Sequence, residues 1–294
     1  MTELVQTIVL GLLIGGVYAL AASGLTLIFG VMNVINVAHG AFLILAAYVT
    51  FAVWTRTGID PLVFALATTP AMFALGWLVY KLLVSRIAGA PASMSVLLTF
   101  AFALVIEGIL GLVYKGVFRA MTPSYFDESF HLGGLFFPKA QVYAAALAVG
   151  LLVLLYLVLT RTWLGRAIRA SAQNPSGARL VGVDPGAVAA LTFALGIATT
   201  GAAGSAIGVL YPFFPAAHYA WISRLLGIIV LGGMGSLPGA LVGAMLLGVA
   251  ETTTSTYFSV RWATAVPYVL ILVVLLLRPH GLFGERVRED VVTA

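Results

Sequence analysis

The sequence predicts an all-α polytopic membrane protein with about eight hydrophobic elements. Of its 294 residues, 62% are hydrophobic and 9% are charged, whereas about 25% of a typical soluble domain is charged. Its apolar runs reach the roughly 20 residues that a helix needs to cross a bilayer. These runs are too long, and alternate too little, to be the strands of a membrane β-barrel. A soluble enzyme, a disordered chain and a secreted disulfide scaffold are therefore excluded.

Eight apolar segments are expected to form a single transmembrane domain over residues 1–294. They lie at residues 4–30, 31–53, 61–81, 93–114, 139–160, 187–210, 223–250 and 262–278. Helices are expected because lipid offers no water to unpaired backbone N–H and C=O groups. The longest connection, residues 115–138, contains Pro123 and the Gly133–Gly134 pair and is expected to be irregular.

The distribution of Lys and Arg predicts the orientation of the chain, because short basic loops stay in the cytoplasm. The loop after the fifth segment contains four arginines. With this loop in the cytoplasm, Lys81 and Arg86 are cytoplasmic too, and the acidic Asp127–Glu128 pair is external. The N-terminus is then external, and the C-terminal tail, with Arg286 and Arg288, is cytoplasmic. Because the basic residues are spread over short loops, the formal charge of +5 does not indicate nucleic-acid binding.

A run of helix-breaking residues interrupts the seventh segment. They are Gly232, Gly233, Gly235, Pro238 and Gly239. Glycine costs a helix backbone entropy and proline removes a backbone donor, so a break is expected here. One continuous crossing would also leave the C-terminus external. We therefore expect two half-helices that enter and leave on the same face, with a kinked single helix as the alternative.

Three polar residues, Asn33, Asn36 and His39, recur every three positions at the start of the second segment. On a helix they would share roughly one face. Polar groups at membrane depth usually face a bundle interior or a water-filled cavity. They are therefore candidates for lining a translocation path, and hydrogen bonding between helices is the alternative role.

Glu107 is the one carboxylate near the middle of an apolar segment. An unpaired charge at that depth costs about 2.5–3.5 kcal/mol on insertion scales, so this group needs a partner or a proton. It is a candidate path residue, with a structural ion pair or a protonated acid as alternatives. Arg224 and Glu251 lie near segment ends and are expected to reach the interface, although Arg224 could instead bind the carboxylate of an entering solute.

The basic loop at about residues 161–186 is expected to contain two short helices. The residues of this loop that we assign to coupling with a cytoplasmic partner are Arg166, Arg169, Asn174, Ala178 and Gly182. The first helix is basic and amphipathic, and Asn174 caps the second, which begins at Pro175. Ala178 and Gly182 leave room for an opposing surface, which favours a docking element for a cytoplasmic partner. A helix lying on the membrane surface is the alternative.

The sequence contains no signature of catalysis or metal binding. None of its three lysines is followed by Ser or Thr, as the phosphate-binding P-loop requires. It has no Cys, and its four His residues lack the spacing of metal ligands. We therefore expect no catalytic residue, no metal and no cofactor, and no nucleotide hydrolysis by this chain itself.

Three stretches resemble the branched-chain amino acid permeases of bacterial ABC importers, and the resemblance spans nearly the whole chain. They are Gly15–Gly30 continued by Asn33–Gly40, the glycine-rich Val230–Ala240, and Leu277–Gly284. The resemblance is closer to the shorter of the two permease types of the high-affinity system. It implies a multi-pass subunit of the bacterial inner membrane.

The resemblance also implies partners. These are a second permease subunit, two cytoplasmic ATP-binding subunits and a periplasmic solute-binding protein, in addition to membrane lipid. The ATP-binding subunits of the family dock on a motif that Ser176–Gly182 matches in part. Ser176 stands where Glu is usual and Gly177 where Ala is usual.

The function that the resemblance implies is to form part of the translocation path of an ABC importer for branched-chain amino acids, driven by ATP hydrolysis on the partner subunits. A permease for urea or short-chain amides, which belong to the wider family, is one alternative. A stand-alone secondary transporter is the other, since such folds place binding sites at broken helices. It would lose ion coupling when Glu107 is replaced by Gln.

Overall fold

The computed structural model describes residues 2–87, 89–278 and 281–283. The helices are α1 (Thr2–Met32), α2 (His39–Thr57), α3 (Pro61–Leu82), α4 (Ala92–Tyr114), α5 (Lys139–Arg161), α6 (Trp163–Gln173), α7 (Pro175–Leu180), α8 (Pro185–Leu210), α9 (His218–Gly232), α10 (Leu237–Tyr257), α11 (Val260–Ala263) and α12 (Val266–Leu277). Two 3-10 turns, Val84–Ile87 and Pro215–Ala217, and two strands, β1 (Ser129–Leu132) and β2 (Leu135–Pro138), complete the list. Gly284 and the tail arginines Arg286 and Arg288, used above, lie outside the described residues.

The predicted all-α polytopic fold is confirmed. Within the described residues, seven helices are long and apolar enough to cross a membrane, namely α1, α2, α3 with its following 3-10 turn, α4, α5, α8 and α10. Two shorter helices, α9 with 15 residues and α12 with 12, pack among them. The chain is therefore a multi-pass membrane protein.

Helices α1 and α8 form the centre of the bundle, where glycines let backbones meet. A Cβ on Gly24 of α1 would lie 2.2 Å from the carbonyl oxygen of Gly196 on α8. A Cβ on Gly204 of α8 would lie 2.2 Å from the carbonyl oxygen of Leu43 on α2. Without a hydrophobic driving force between helices in lipid, such close packing of small residues is a main source of helix association.

The seventh predicted segment is two antiparallel helices, α9 and α10. Close contacts pair Gly232 with Gly239, and Gly243 with the carbonyl oxygen of Ile228 further back along α9. α9 and α10 thus form a helical hairpin. This confirms the predicted break and excludes a single kinked helix. α10, with 21 residues, is long enough to cross a membrane, so the expectation of two half-helices is wrong for α10.

The turn of this hairpin lies between Gly233 and Ser236. Gly233 and Gly235 have φ values of 100° and 85°, which favour glycine. Pro238 belongs to the first turn of α10, where its missing N–H is tolerated. Gly235 packs against Gly30 near the end of α1. The break therefore lies at one end of the bundle and not at mid-depth.

The second predicted segment, residues 31–53, is not one helix. The backbone leaves α1 at Asn33, which has a φ of 51°, and α2 begins only at His39. The Nε2 atom of His39 lies 3.0 Å from the carbonyl oxygen of Ala21, well before the end of α1. The connection thus runs back into the bundle, so that α2 begins in its interior.

The connection at 115–138, which we expected to be irregular, contains an antiparallel hairpin. β1 and β2 pair from Ser129 with Pro138 to Leu132 with Leu135. Gly133 and Gly134, with φ values of 57° and 80°, make the turn. The prediction of an irregular segment is therefore confirmed for residues 115–128 and wrong for residues 129–138, where two short runs of apolar and polar residues around a Gly-Gly pair suffice for a hairpin.

Most charged residues lie near one of the two ends of the bundle. The basic end, where α1 and α3 finish and α6 and α7 lie, carries Lys81, Arg86, Arg161, Arg166, Arg169 and Arg179. The hairpin end, where α1 begins and the two strands lie, carries the acidic residues Asp60, Asp127 and Glu128 together with the basic residues Arg56, Lys115 and Lys139. The Asp127–Glu128 pair and the arginines between α5 and α8 therefore lie at opposite ends, as expected from the sequence.

Candidate functional site

Helix α9 begins inside the bundle. The preceding loop is anchored there by Phe213, which is fully buried and exchanges two backbone hydrogen bonds with Arg119. The chain then turns through Pro215 and enters α9 at His218. A Cβ on Gly40 of α2 would lie 2.6 Å from the carbonyl oxygen of His218, so the N-termini of α2 and α9 adjoin.

Glu107 of α4 is paired with His218, the first residue of α9. The Nε2 atom of His218 lies 3.0 Å from Oε2 of Glu107, and the imidazole is buried while the carboxylate is one-quarter exposed. A helix N-terminus also favours a neighbouring negative charge. Of the alternatives left open by the sequence, the contact favours a side chain paired within the protein over an isolated one.

A second charged pair joins α9 to α10. The Nε atom of Arg224 donates to Oε1 of Glu251 over 2.9 Å. The hydroxyl of Tyr18 on α1 donates to the other carboxylate oxygen over 2.7 Å and lies 3.2 Å from the hydroxyl of Tyr211. Trp221 packs edge-on against Tyr18, with ring centroids 5.7 Å apart. Each charge is therefore hydrogen-bonded, as burial requires.

The expectation that Arg224 and Glu251 reach the interface separately is wrong. Glu251 is buried, with 8% of the residue exposed. The two residues share one hydrogen-bonded ion pair because α9 and α10 run antiparallel from the turn at Gly233–Ser236. The signal for this pairing was present in the sequence, since two opposite charges in apolar segments each needed a partner.

Between the two pairs, α9 presents an exposed strip of polar and small side chains. Tyr219 and Ala220 are exposed, and Ser223 is partly exposed. Their spacing puts them on one side of the helix, with Glu107 and Arg224 on its two flanks. We call Tyr219, Ala220 and Ser223, with these two flanking groups, the α9 face. The α9 face thus carries a carboxylate and a guanidinium, each of which also has a partner within the chain.

The remaining predicted path residues lie elsewhere. Asn33 is exposed at the basic end, whereas Asn36 and His39 are fully buried. The expected common helical face is wrong, because residues 33–38 are not helical. Both polar side-chain atoms of Asn36 lack a partner among the described residues, and a cavity of about 10 Å³ lies beside them, next to Thr99.

Thr99 of α4 holds the unwound segment that contains Asn36. Its hydroxyl oxygen accepts from the backbone N–H of Val37 over 3.1 Å, and the hydroxyl donates to the carbonyl oxygen of Ser95 over 2.8 Å. A side chain thus supplies a partner that the interrupted helix cannot. Whether Asn33, Asn36 and His39 take part in transport stays a prediction.

The basic loop folds as expected at Asn174. Its side chain accepts from the backbone N–H of Gly177 over 2.8 Å, and Pro175 begins α7. Arg166 and Arg169 belong to α6, and the Arg169 guanidinium donates to the carbonyl oxygen of Leu159. This hydrogen bond ties α6 to the end of α5.

Ala178 does not leave room for an opposing surface, since only 4% of it is exposed. The exposed tip of α7 consists instead of Leu180 and Val181, which are 90% and 77% exposed. Gly182 follows with a φ of 82° and open space around its Cα. We call Leu180, Val181 and Gly182 the α7 tip. The sequence pattern pointed to the small residues Ala178 and Gly182 and not to the exposed apolar residues between them.

Sequence reasoning also missed His218 and the two tyrosines of the Glu251 cluster. A histidine and tyrosines in apolar segments are common, and nothing in their spacing points to Glu107 or Glu251. Their roles arise from contacts between residues far apart in the chain. In the part of the chain that the structure describes, no three His, Cys, Asp or Glu side chains lie close enough together to hold a metal ion.

Comparison with known proteins identifies the family of the chain. The family model described as "Branched-chain amino acid transport system / permease component" matches residues 7–275. The high-affinity branched-chain amino acid transport system permease protein LivH of Escherichia coli strain K12 is 28% identical, with 96% of each chain covered. The permease protein BraD of the corresponding system in Pseudomonas aeruginosa is 28% identical over 97% of each chain.

A relative from an archaeon extends this similarity. The probable branched-chain amino acid transport permease protein LivH of Methanocaldococcus jannaschii is 27% identical, with 90% of this chain and 88% of its own length covered. No solved structure matches the chain. Because the family model covers most of the residues, the chain belongs to the permease components of branched-chain amino acid transport systems, which are membrane transport proteins and not enzymes.

Proposed function

We propose that this chain is one permease subunit of a bacterial ABC importer for branched-chain amino acids. It would pair with a second permease subunit, two ATP-binding subunits in the cytoplasm and a periplasmic solute-binding protein. The match to the permease family over residues 7–275 supports a component of a larger transport system. Relatives that are named for branched-chain amino acids, and that match over nearly their whole length, support this class of solute.

The proposed location is the inner membrane, with the basic end in the cytoplasm. Six Lys and Arg residues in α3, α5, α6, α7 and the 3-10 turn lie at this end, which follows the rule that basic loops stay inside. The N-terminus is then external. The last described helix, α12, runs in the same direction as α9, since Ile271 and Leu282 meet α9 in order at Gly227 and Leu231. The tail after α12 is then cytoplasmic.

The observation that carries the proposal is the α9 face. A partly exposed carboxylate, Glu107, and a partly exposed guanidinium, Arg224, lie on the surface of the chain at membrane depth. Charged groups are costly against hydrocarbon and usually face water or protein. A second permease subunit that covers this face would enclose a polar path along α9, and this chain would supply half of its wall.

The α7 tip is the proposed docking site for an ATP-binding subunit. Leu180 and Val181 are exposed apolar residues at the basic end, where they would project into water rather than lipid. Such residues are typical of a buried interface core. The hydrogen bond from Arg169 to Leu159 ties α6 to α5, and the Asn174 cap holds the start of α7. Movement of the docked subunit would therefore be transmitted to the membrane helices.

The first experiment is gentle native purification of the tagged chain, followed by identification of its stoichiometric companions and uptake in proteoliposomes. We expect two ATP-binding subunits and a second permease, with ATP-dependent uptake of leucine, isoleucine or valine when the binding protein is added. A complex that moves urea or short-chain amides instead would correct the solute. A chain that purifies alone and transports under an ion gradient would show a secondary transporter and overturn the proposal.

The docking site is tested by replacing Leu180 and Val181 together with Asp. We expect loss of the ATP-binding subunits from the purified complex, with unchanged membrane insertion, because two charges would face an apolar surface. Leu132→Asp is the matched control, since Leu132 is 74% exposed at the opposite, hairpin end. Equal retention of the ATP-binding subunits in both variants would contradict docking at the α7 tip.

A further inference from the structure

An open groove of about 500 Å³ adjoins Glu107 on the surface of α4. Its walls are apolar, with Leu104 on α4 and Phe214 and Pro215 in the loop before α9. Gly108 and Gly111 line it without side chains, and a Cβ at either position would meet nothing within 4 Å. The volume falls in the range of about 300–1,000 Å³ that small-molecule pockets occupy.

Among the described residues, Glu107 is the one charged side chain that lines this groove. Its Oε2 atom lies 3.0 Å from Nε2 of His218, and the exposed Tyr219 hydroxyl lies near the same carboxylate. Within residues 2–87, 89–278 and 281–283, no direct hydrogen bond to its Oε1 atom is found. A carboxylate accepts hydrogen bonds at both oxygens. Since His218 is buried and begins α9, it fixes the carboxylate at the groove and leaves one oxygen for a ligand.

The chemistry of the groove selects a class of ligand. A carboxylate on an apolar wall complements a compound with an ammonium group and an aliphatic body, because a charge-assisted hydrogen bond is stronger than a neutral one. An uncharged amide or urea would bring no positive charge to the carboxylate. The groove is open on one side, so the carboxylate group of an amino acid could stay hydrated there.

We infer that the Glu107 groove binds the ammonium group of an apolar amino acid on its way into the path, and that Glu107 makes this permease select amino acids over their uncharged analogues. The inference rests on the proposed function, in which such a solute reaches the α9 face. It adds a selective step within the membrane to the selection made by the binding protein.

The test measures ligand binding to the complex that co-purifies with the tagged chain, in nanodiscs and without the binding protein. Saturation-transfer NMR detects millimolar binding, and the probes are leucine, leucinamide and 4-methylpentanamide. The second probe keeps the ammonium group and lacks the carboxylate, and the third lacks both charges. We expect transfer signals for leucine and leucinamide at least fivefold stronger than that for 4-methylpentanamide.

Two variants test the site itself. Glu107→Gln is expected to reduce the leucine signal at least fivefold, whereas Glu128→Gln, at an exposed carboxylate of the hairpin end, is expected to leave it unchanged. Gly111→Leu puts a large apolar side chain into the groove and keeps the charge, and its Cβ would meet nothing within 4 Å. It is expected to abolish the signals of all three probes, so it serves as the test if Glu107→Gln does not fold.

The inference is overturned if the wild-type complex gives no leucine signal, if the uncharged amide binds equally well, or if leucine binding survives Glu107→Gln or Gly111→Leu. ATP-driven uptake with the binding protein is measured in the same preparations. Uptake of leucine without a Glu107-dependent signal would remove the groove site and keep the proposed function. A Glu107-dependent signal without any uptake of apolar amino acids would remove the proposed function and keep the site.

Discussion

The centre of the bundle and helix α9 are held together in opposite ways. Between α1 and α8, backbone meets backbone at Gly24 and Gly196, and the surrounding residues are apolar and buried. Helix α9 is shorter and is tied to its neighbours by two side-chain pairs, Glu107–His218 and Arg224–Glu251, one at each flank. It follows a loop that turns back into the bundle and ends at a glycine turn.

This difference separates a scaffold from a functional element. Close glycine contacts have one geometry and tolerate no added atoms, so the α1–α8 core is suited to stay fixed. Charged pairs at membrane depth are costly, and they are retained where water or a solute has to be met. In the proposed complex, the exposed side of α9 between the two pairs faces the transport path.

The largest expected effect is on the core. Gly24→Val would force its new side chain into the carbonyl oxygen of Gly196, at 2.2 Å even for the Cβ. Overpacking typically costs about 1–3 kcal/mol and occasionally more, and we expect the cost to exceed that range here because the obstacle is backbone. Backbone atoms cannot move aside, so we expect little folded protein in size-exclusion chromatography. Gly150→Val on α5 is the control, since a Cβ there meets nothing within 4 Å. Equal yields would mean that the core is not fixed.

A smaller loss of stability is expected when the buried Arg224–Glu251 pair is broken. Arg224→Met leaves the Glu251 carboxylate, whose side chain is 11% exposed, without its cation, and an unpaired charge at membrane depth costs about 2.5–3.5 kcal/mol. Thermal unfolding in detergent should therefore show a clear loss of stability. The double variant Arg224→Met with Glu251→Met should recover most of it. A double variant as unstable as the single one would show that the pair does not act as a unit.

The smallest effect is expected at the pair beside the groove. His218→Phe keeps the volume of the side chain and removes the partner of Glu107, whose side chain is 25% exposed. Because water in the groove can solvate the carboxylate, the loss should stay below about 1 kcal/mol, as for exposed pairs. The same unfolding assay compares it with Arg224→Met. If His218→Phe loses as much stability as Arg224→Met, the two flanks of α9 are energetically equivalent and water does not solvate Glu107 in the groove.

Structural features that depend on local composition were predicted well from the sequence. Apolar runs located α3, α4, α5 and α8 within a few residues, because a span of lipid demands about 20 apolar residues. The glycine run predicted the turn after α9, and Asn174–Pro175 predicted the start of α7. Each of these signals lies within one stretch of chain and acts through backbone geometry.

The sequence failed where one stretch depends on another. Residues 33–38 have the spacing of polar and apolar residues typical of a helix, yet they are unwound. Thr99 and the carbonyl oxygen of Ala21 supply hydrogen-bond partners from other helices to Val37 and His39. Ala178 resembles a docking residue but is buried against its own domain. No local pattern encodes either contact.

The membrane class, the approximate spans and the family are therefore properties of the sequence by itself, since hydropathy and glycine spacing act locally. The tertiary structure alone decided that Glu107 meets His218, that Arg224 meets Glu251, and that both pairs flank one exposed side of α9. Pairing between charges more than twenty residues apart depends on how helices cross, and crossing is set by the close packing of glycines across the whole bundle.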